Sequence, residues 1–180
     1  LGRVVKLTAK STRPVDERID RAARKRLYAV ALNAGREAMN ARKYEDATTA
    51  FRRARDAALD AQSQTTATIA LAGALAARKE FATALGEYQK LIEQRGDDVA
   101  PFDAARAGIA EILQLAGRDV YRDIERDAER LLAQGDGLAV FRRYPNSAAA
   151  EKGMFEAAMK SEDAAIFRMF LQHYPDSPRV

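Results

Sequence analysis

Cysteine is absent from the 180 residues, so the chain holds no disulfide framework, no thiolate metal site and no cysteine nucleophile. That absence fits a reducing compartment, and it fits equally an exported protein that needs no covalent staple. Histidine occurs once, as His173. A lone imidazole without a thiolate does not make a protein-built transition-metal site. Glycine and proline are few, ten and five. Strand-forming runs of Val, Ile, Thr and aromatics nearly vanish after residue 8, which argues against a sheet. No apolar run is long enough to cross a membrane, and residues 1–13 lack the apolar centre of a signal peptide. Gly-rich phosphate loops, Gly-x-Ser-x-Gly elbows and His-Glu-x-x-His pairs are missing as well.

What remains is rich in alanine, the residue that loses least on entering a helix. The length suits one sizeable domain or one run of stacked repeats. Net charge is +4 and uneven. Residues 1–60 carry 15 Lys/Arg against 8 Asp/Glu, whereas residues 61–180 carry 15 against 18. The basic residues alternate with acids on what read as solvated helix faces. The chain starts at Leu1 rather than Met. The expectation from this start is an excised segment of a longer protein.

Periodicity places the helices. Residues 3–8, Arg-Val-Val-Lys-Leu-Thr, read as a short extended piece, and Ser11-Thr12-Arg13-Pro14 as a break. A helix then runs to about Arg42 with a break near Lys25, its face carrying Val15, Ile19, Ala22, Ala23 and Leu27. Further helices are expected from Tyr44 to about Asp60, Ser63 to Arg78, Phe81 to about Gln94, Ala104 to Ala116 and Val120 to about Ala133. Gly117 and Gly135-Asp136-Gly137 are stops. Shorter helices follow at Leu138–Arg143, Ala148–Lys160 and Asp163–His173, with Tyr-Pro dipeptides ending the first and the last.

Two internal repeats organise this pattern. Tyr44, Ala47, Phe51 and Ala54 recur as Phe81, Ala84, Tyr88 and Leu91, offset by 37. Spacings of three and four keep each set on one helical stripe. An aromatic after a tight turn fills the gap between two helices, and a small residue three positions on lets them approach. Tyr44, Phe51, Phe81 and Tyr88 are therefore expected to be buried, and Ala47 and Ala84 to be close-contact sites. A third unit, about 103–134, keeps a Gly117 turn and loses the aromatic series. Farther on, Phe141-Arg142-Arg143-Tyr144-Pro145-Asn146-Ser147 recurs as Phe170 to Ser177, with Tyr144 and Tyr174 30 residues apart.

On these residues the chain resembles the tetratricopeptide-repeat family, most closely over 28–95. Ala34-Gly35 and Ala38, then Leu71-Ala72 and Leu75, stand at the family's small first-helix positions, while Ala31 and Thr68 replace its early aromatic. The resemblance implies an all-α fold, a right-handed superhelical stack of antiparallel helix pairs. It would have an extended segment at 1–13, tetratricopeptide-like repeats over 14–134 and shorter Tyr-Pro-x-Ser repeats over 135–180. Those shorter repeats are similar to repeats of bacterial outer-membrane assembly lipoproteins and of the Tol-Pal-associated periplasmic protein. They imply a docking segment of an envelope-associated protein, in the periplasm or at the outer membrane rather than in the cytoplasm.

The same resemblance implies a groove lined by first-helix residues: Leu32, Arg36, Met39 and Asn40 in one unit, Thr66, Ile69 and Gly73 in the next. Some members grip a peptide carboxylate there with Lys, Asn and Arg; this chain offers Arg36 and Asn40. The partner expected is a protein or peptide. Self-association through the C-terminal end is the other expectation, because Phe155, Met159, Phe167, Met169 and Phe170 exceed what one short pair of helices buries.

Chemistry is sparse elsewhere. His173, in a last helical turn, reads as a cap or surface cation near a helix dipole. The acidic pairs Asp16/Glu17, Glu45/Asp46, Asp97/Asp98 and Glu162/Asp163 sit at turns or helix starts, where acids cap and complement the dipole. No catalytic residues, metal or cofactor are expected, and the chain reads as a non-catalytic scaffold. The alternatives are an accessory domain of a multidomain enzyme and a basic module contacting nucleic acid. The latter rests on Arg21, Arg24, Lys25 and Arg26, but neighbouring acids and scarce aromatics favour a solvated face.

Overall fold

Alanine-rich stretches of period 3.6 become helix throughout. The computed structural model describes residues 14–95, 99–161 and 164–179, so the extended piece expected at 3–8 lies outside them. The helices are α1 (Pro14–Asn40), α2 (Tyr44–Ala57), α3 (Ala61–Ala77), α4 (Phe81–Arg95) and α5 (Val99–Ala116). A 3-10 turn, Arg118–Tyr121, leads into α6 (Arg122–Leu132), followed by α7 (Gly137–Arg143), α8 (Ala148–Lys160) and α9 (Ala164–His173). No strand occurs among the described residues.

Each helix from α2 to α5 packs on its predecessor, α3 also touches α5, and α8 packs against α6, α7 and α9. One apolar cluster runs from Ala31 in α1 to Phe170 in α9. Alanine supplies much of it, which lets the axes approach closely. Across the stack, Arg55 of α2 pairs with Glu87 of α4 at 3.0 Å. Gln89 of α4 donates to the carbonyl of Arg143, at the end of α7, at 2.7 Å.

The α1–α2 and α3–α4 turns are built alike. Arg42 and Lys79 both adopt left-handed backbone, φ 57 and 64. The amide after each reaches back five residues, Lys43 to the Ala38 carbonyl at 2.8 Å and Glu80 to that of Leu75 at 3.0 Å. This Schellman arrangement closes the last turns of α1 and α3. The offset of 37 seen in the side chains is thus present in the backbone conformation. Ala47 and Ala84 are both 0 % exposed, as their close-contact role requires.

Several expectations need correction. Helix α1 passes unbroken through Lys25, because nothing in its alanine-rich sequence interrupts the hydrogen-bond ladder. Helix α2 stops at Ala57 and α3 begins at Ala61, because Asp60 accepts from the Ser63 amide and caps α3 earlier than expected. Helix α5 starts at Val99 rather than Ala104, with Pro101 in its first turn, where proline is tolerated. Phe51 and Tyr88 are buried, whereas Tyr44 and Phe81 are only half-buried, being the first residues of their helices beside a loop. The third unit loses the aromatic series but keeps one buried aromatic. Tyr121 is 1 % exposed. With Ile124, Ala128 and Leu131 it keeps the three-four-three spacing, large and small exchanged. Gly117, at φ 78 and ψ 171, takes a conformation open to glycine alone, and the corresponding turn after α5 enters a 3-10 segment before α6.

Candidate functional site

Helix α1 is 27 residues long, nearly twice α2, on which it packs. Its C-terminal half is anchored: Ala31 and Leu32 are buried and Gly35 lies against the Phe51 ring. Its N-terminal half overhangs. Residues 17–23 are exposed without exception, and from 24 to 30 only Arg24 and Tyr28 are even half-buried. Helical geometry, about 100° per residue, divides this overhang into an inner edge and two free faces.

The inner edge carries Arg24 and Tyr28. Arg24 donates to the carbonyls of Asp56 and Ala58, each at 3.3 Å, and so satisfies the C-terminal end of α2. Tyr28 packs on the core. One free face is apolar. Ile19, Leu27 and Val30 are 63 %, 53 % and 60 % exposed, and Ala23 and Ala34 continue their stripe. Large aliphatics repeated in this way on a solvated helix are unusual for a face meant for water alone.

The other free face turns toward the α2–α3 corner. It walls a groove of about 660 Å³ lined by Arg18, Arg21, Ala22, Lys25, Tyr28 and Ala29 on the α1 side. Ala57, Leu59, Asp60 and Ser63 form the opposite wall. The Asp60 carboxylate accepts from the Ser63 amide at 2.7 Å and hydroxyl at 3.1 Å. Those bonds, the amide first, hold its pKa below the usual value, with Lys25 adding a smaller pull. Arg18, Arg21 and Lys25 form no ion pair or hydrogen bond with another described residue.

The residues proposed for a first-helix groove differ in exposure. Leu32 is 7 % exposed and belongs to the core, so it offers little surface. Met39 and Ile69 are half-buried and pack against that core. Arg36 and Asn40 are exposed. Thr66 is half-buried, its hydroxyl donating to the Gln62 carbonyl at 2.9 Å. Gly73 has open space where a side chain would stand. None of the seven lines the groove described above. Of the basic run, Arg24 is used internally, and Arg26 is exposed but does not line the groove. Arg18, Tyr28 and Leu59 were not among the sequence candidates. The spacing of Arg18, Arg21 and Lys25 at i, i+3 and i+7 was a readable signal; the α2–α3 corner was not, because only the tertiary fold brings it there.

At the far end a second concavity, about 430 Å³, lies between α5 and the two Tyr-Pro turns. Arg106 and His173 there are engaged, while Asp103 is exposed. Arg106 bonds to Nδ1 of His173 at 3.0 Å and donates to the His173 carbonyl, and it stacks over the Tyr174 ring at 5.4 Å. Asn146 donates to the Arg106 carbonyl at 3.1 Å. His173 is thus not a free capping cation. It packs against Phe102 and Phe141, and burial first, then Arg106, lowers its pKa below 6.5. The imidazole is neutral at pH 7, with Nδ1 as the acceptor.

The described residues contain no group of three or more His, Asp or Glu placed to hold a metal. Glu45 and Asp46 are exposed in the first turn of α2, while Asp97, Asp98, Glu162 and Asp163 lie outside the described residues. No described helix is long and apolar enough to cross a membrane. Comparison of the chain with protein-family models, curated proteins and solved structures found no match.

Proposed function

We propose that this chain is a non-catalytic scaffold that docks a protein partner through the overhanging half of α1. The finer architecture belongs to the same reading: antiparallel pairs of tetratricopeptide type wound into a right-handed superhelix. The observation that carries the proposal is the apolar stripe of Ile19, Leu27 and Val30, held in solvent on a helix whose other half is firmly packed. A folded chain gains by covering such a stripe, at about 25 cal/mol per Å² removed from water, and the described residues leave it uncovered. The internally bonded His173 and the engaged Arg106 leave the exposed Asp103 carboxylate as the remaining charged group of the second concavity, and a single carboxylate without an acid-base partner supports the non-catalytic part. The two Tyr-Pro-x-Ser turns support a bacterial envelope setting. Exposed Met159 and Phe167, 64 % and 37 %, support self-association at the C-terminal end.

The test is site-specific photo-crosslinking in the host cell. A photoreactive residue at Leu27 or Val30 is expected to give a discrete adduct with another polypeptide, and one at Arg130 in α6 is not. No adduct at either α1 position, with the chain eluting as a monomer, overturns the reading. Cell fractionation tests the setting: recovery with periplasm or outer membrane is expected, and recovery in the cytosol alone contradicts it.

A further inference from the structure

We propose that the groove between α1 and the α2–α3 corner receives an acidic helical segment of a partner protein. Three carboxylates of that segment would face Arg18, Arg21 and Lys25, and one aliphatic side chain would insert beside Leu59. The surface is distinct from the apolar stripe on the far side of α1, so either can fail without the other.

Charge complementarity selects the occupant. Arg18, Arg21 and Lys25 stand at i, i+3 and i+7, on one stripe about 10 Å long at 1.5 Å per residue. All three are exposed and without an ion-pair partner among the described residues. Three cations spread over that length match carboxylates spaced along a second helix better than one compact anion. Beside Tyr28, Asp60 and Ser63, the rest of the lining is aliphatic: Ala22 and Ala29 from α1, Ala57 and Leu59 from the corner. An aliphatic side chain entering between them loses water on both sides.

The same surroundings disfavour a nucleic-acid strand. A phosphate backbone tracks an unbroken positive surface, and here the facing wall carries the ionised Asp60 carboxylate. Glu17 and Asp20 immediately precede Arg18 and Arg21 along α1. Among the lining residues Tyr28 is the only aromatic, too little for successive base stacking. An acidic helix meets Asp60 only at one end, where a basic or neutral residue suits it.

The experiment is a fluorescence-anisotropy titration of the 180-residue chain. Its probe is a short labelled amphipathic peptide with Glu at i, i+3 and i+7 and one Leu between them. Binding that weakens with added salt is expected. The triple variant Arg18→Glu, Arg21→Glu, Lys25→Glu should weaken it at least about tenfold. The control Arg52→Glu, Arg53→Glu, a basic pair exposed on α2, should change it less than about twofold. Helix content by circular dichroism should be unchanged in both variants. If the triple variant misfolds, Arg21→Gln and Lys25→Gln singly should each weaken binding about two- to threefold. Equal binding of a peptide with Gln in place of Glu overturns the proposal, as does equal loss in the groove and control variants. Tighter, groove-dependent binding of single-stranded oligo-dT also overturns it and assigns the surface to nucleic acid.

Discussion

Helices α1–α4 and α7–α9 both come from short internal repeats folded into hairpins, yet their close contacts are of different kinds. In the first region a ring lies on a glycine. A Cβ on Gly35 would fall 2.8 Å from Cζ of Phe51, and the same contact recurs where α5 meets α4, with a Cβ on Gly108 2.6 Å from Cε2 of Tyr88. In the second region backbone lies on backbone: a Cβ on Gly137 would fall 2.7 Å from Cα of Gly153, and the reverse is equally tight. The turns differ too. The first region uses a left-handed Arg or Lys with no side-chain cap on α2. In the second, Tyr-Pro ends one helix, and the Ser147 hydroxyl accepts from the Ala150 amide at 3.0 Å to start the next. The second copy then locks onto the first, as the Tyr174 hydroxyl donates to the Pro145 carbonyl at 2.8 Å. A ring can tilt away from an intruding methyl, whereas two crossing backbones can separate only if the helices do. The N-terminal region should therefore tolerate change at its glycines better than the C-terminal region.

The largest effect belongs to Gly137→Ala. It should cost more than ~3 kcal/mol, because the methyl forces α7 off α8. Gly35→Ala should cost less, ~1–2 kcal/mol, after gaining back part of alanine's helix preference. Urea melts of the two variants compare them, and equal losses would break the distinction between ring and backbone contacts. Ala47→Leu and Ala84→Leu come next. Both sites are 0 % exposed in matching repeat positions, so each should cost ~1–3 kcal/mol and the two by similar amounts. Melts matching the parent would remove the 37-residue register.

Arg42→Gly and Lys79→Gly run in the opposite direction. Each relieves a side chain of left-handed backbone and should raise stability by about 1 kcal/mol. Destabilisation of either would mean that the turns are held by those side chains rather than by the Schellman bonds. The smallest effect is the pH dependence from His173. Its folded pKa lies below the ordinary 6.5, so the unfolded chain takes up the proton first as pH falls. Its contribution is fully present above about 6.5 and is lost as pH drops through the lower folded value. Melts between pH 7 and pH 5 should show a decline of under ~1 kcal/mol from this group, absent in His173→Gln. Asp103, which favours the charged imidazole, limits the size.

How much of this was legible depends on which interactions decide each feature. Helix positions follow from local periodicity and punctuation, and α8 falls at Ala148–Lys160 as read from its Ser147 cap and its polar end. The buried Phe51, Tyr88, Ala47 and Ala84 follow from the repeat. Tyr121 was missed because its unit exchanges large and small residues, so a search for aromatic-small-aromatic passes over it. Arg24 looked like its basic neighbours until α2 ended beneath it and took its donors. Leu32 was placed in a groove by repeat position, but packing against α2 drew it into the core. The candidate site was least legible: its far wall, Leu59 to Ser63, is a loop and a helix start that local pattern does not bring near Arg18.

The central claim is that the first half of α1 is a docking arm that no other described residue covers. Isolated helices shorter than about 12–15 residues are marginal in water, so amides of 18–23 should open readily while those of 31–40 are held by packing. Hydrogen exchange on the isolated chain at low concentration measures this directly. The account predicts exchange at 18–23 faster by orders of magnitude than at 31–40, within one continuous helix. Equal strong protection along the whole of α1 would mean that the arm is already covered, and would contradict the claim.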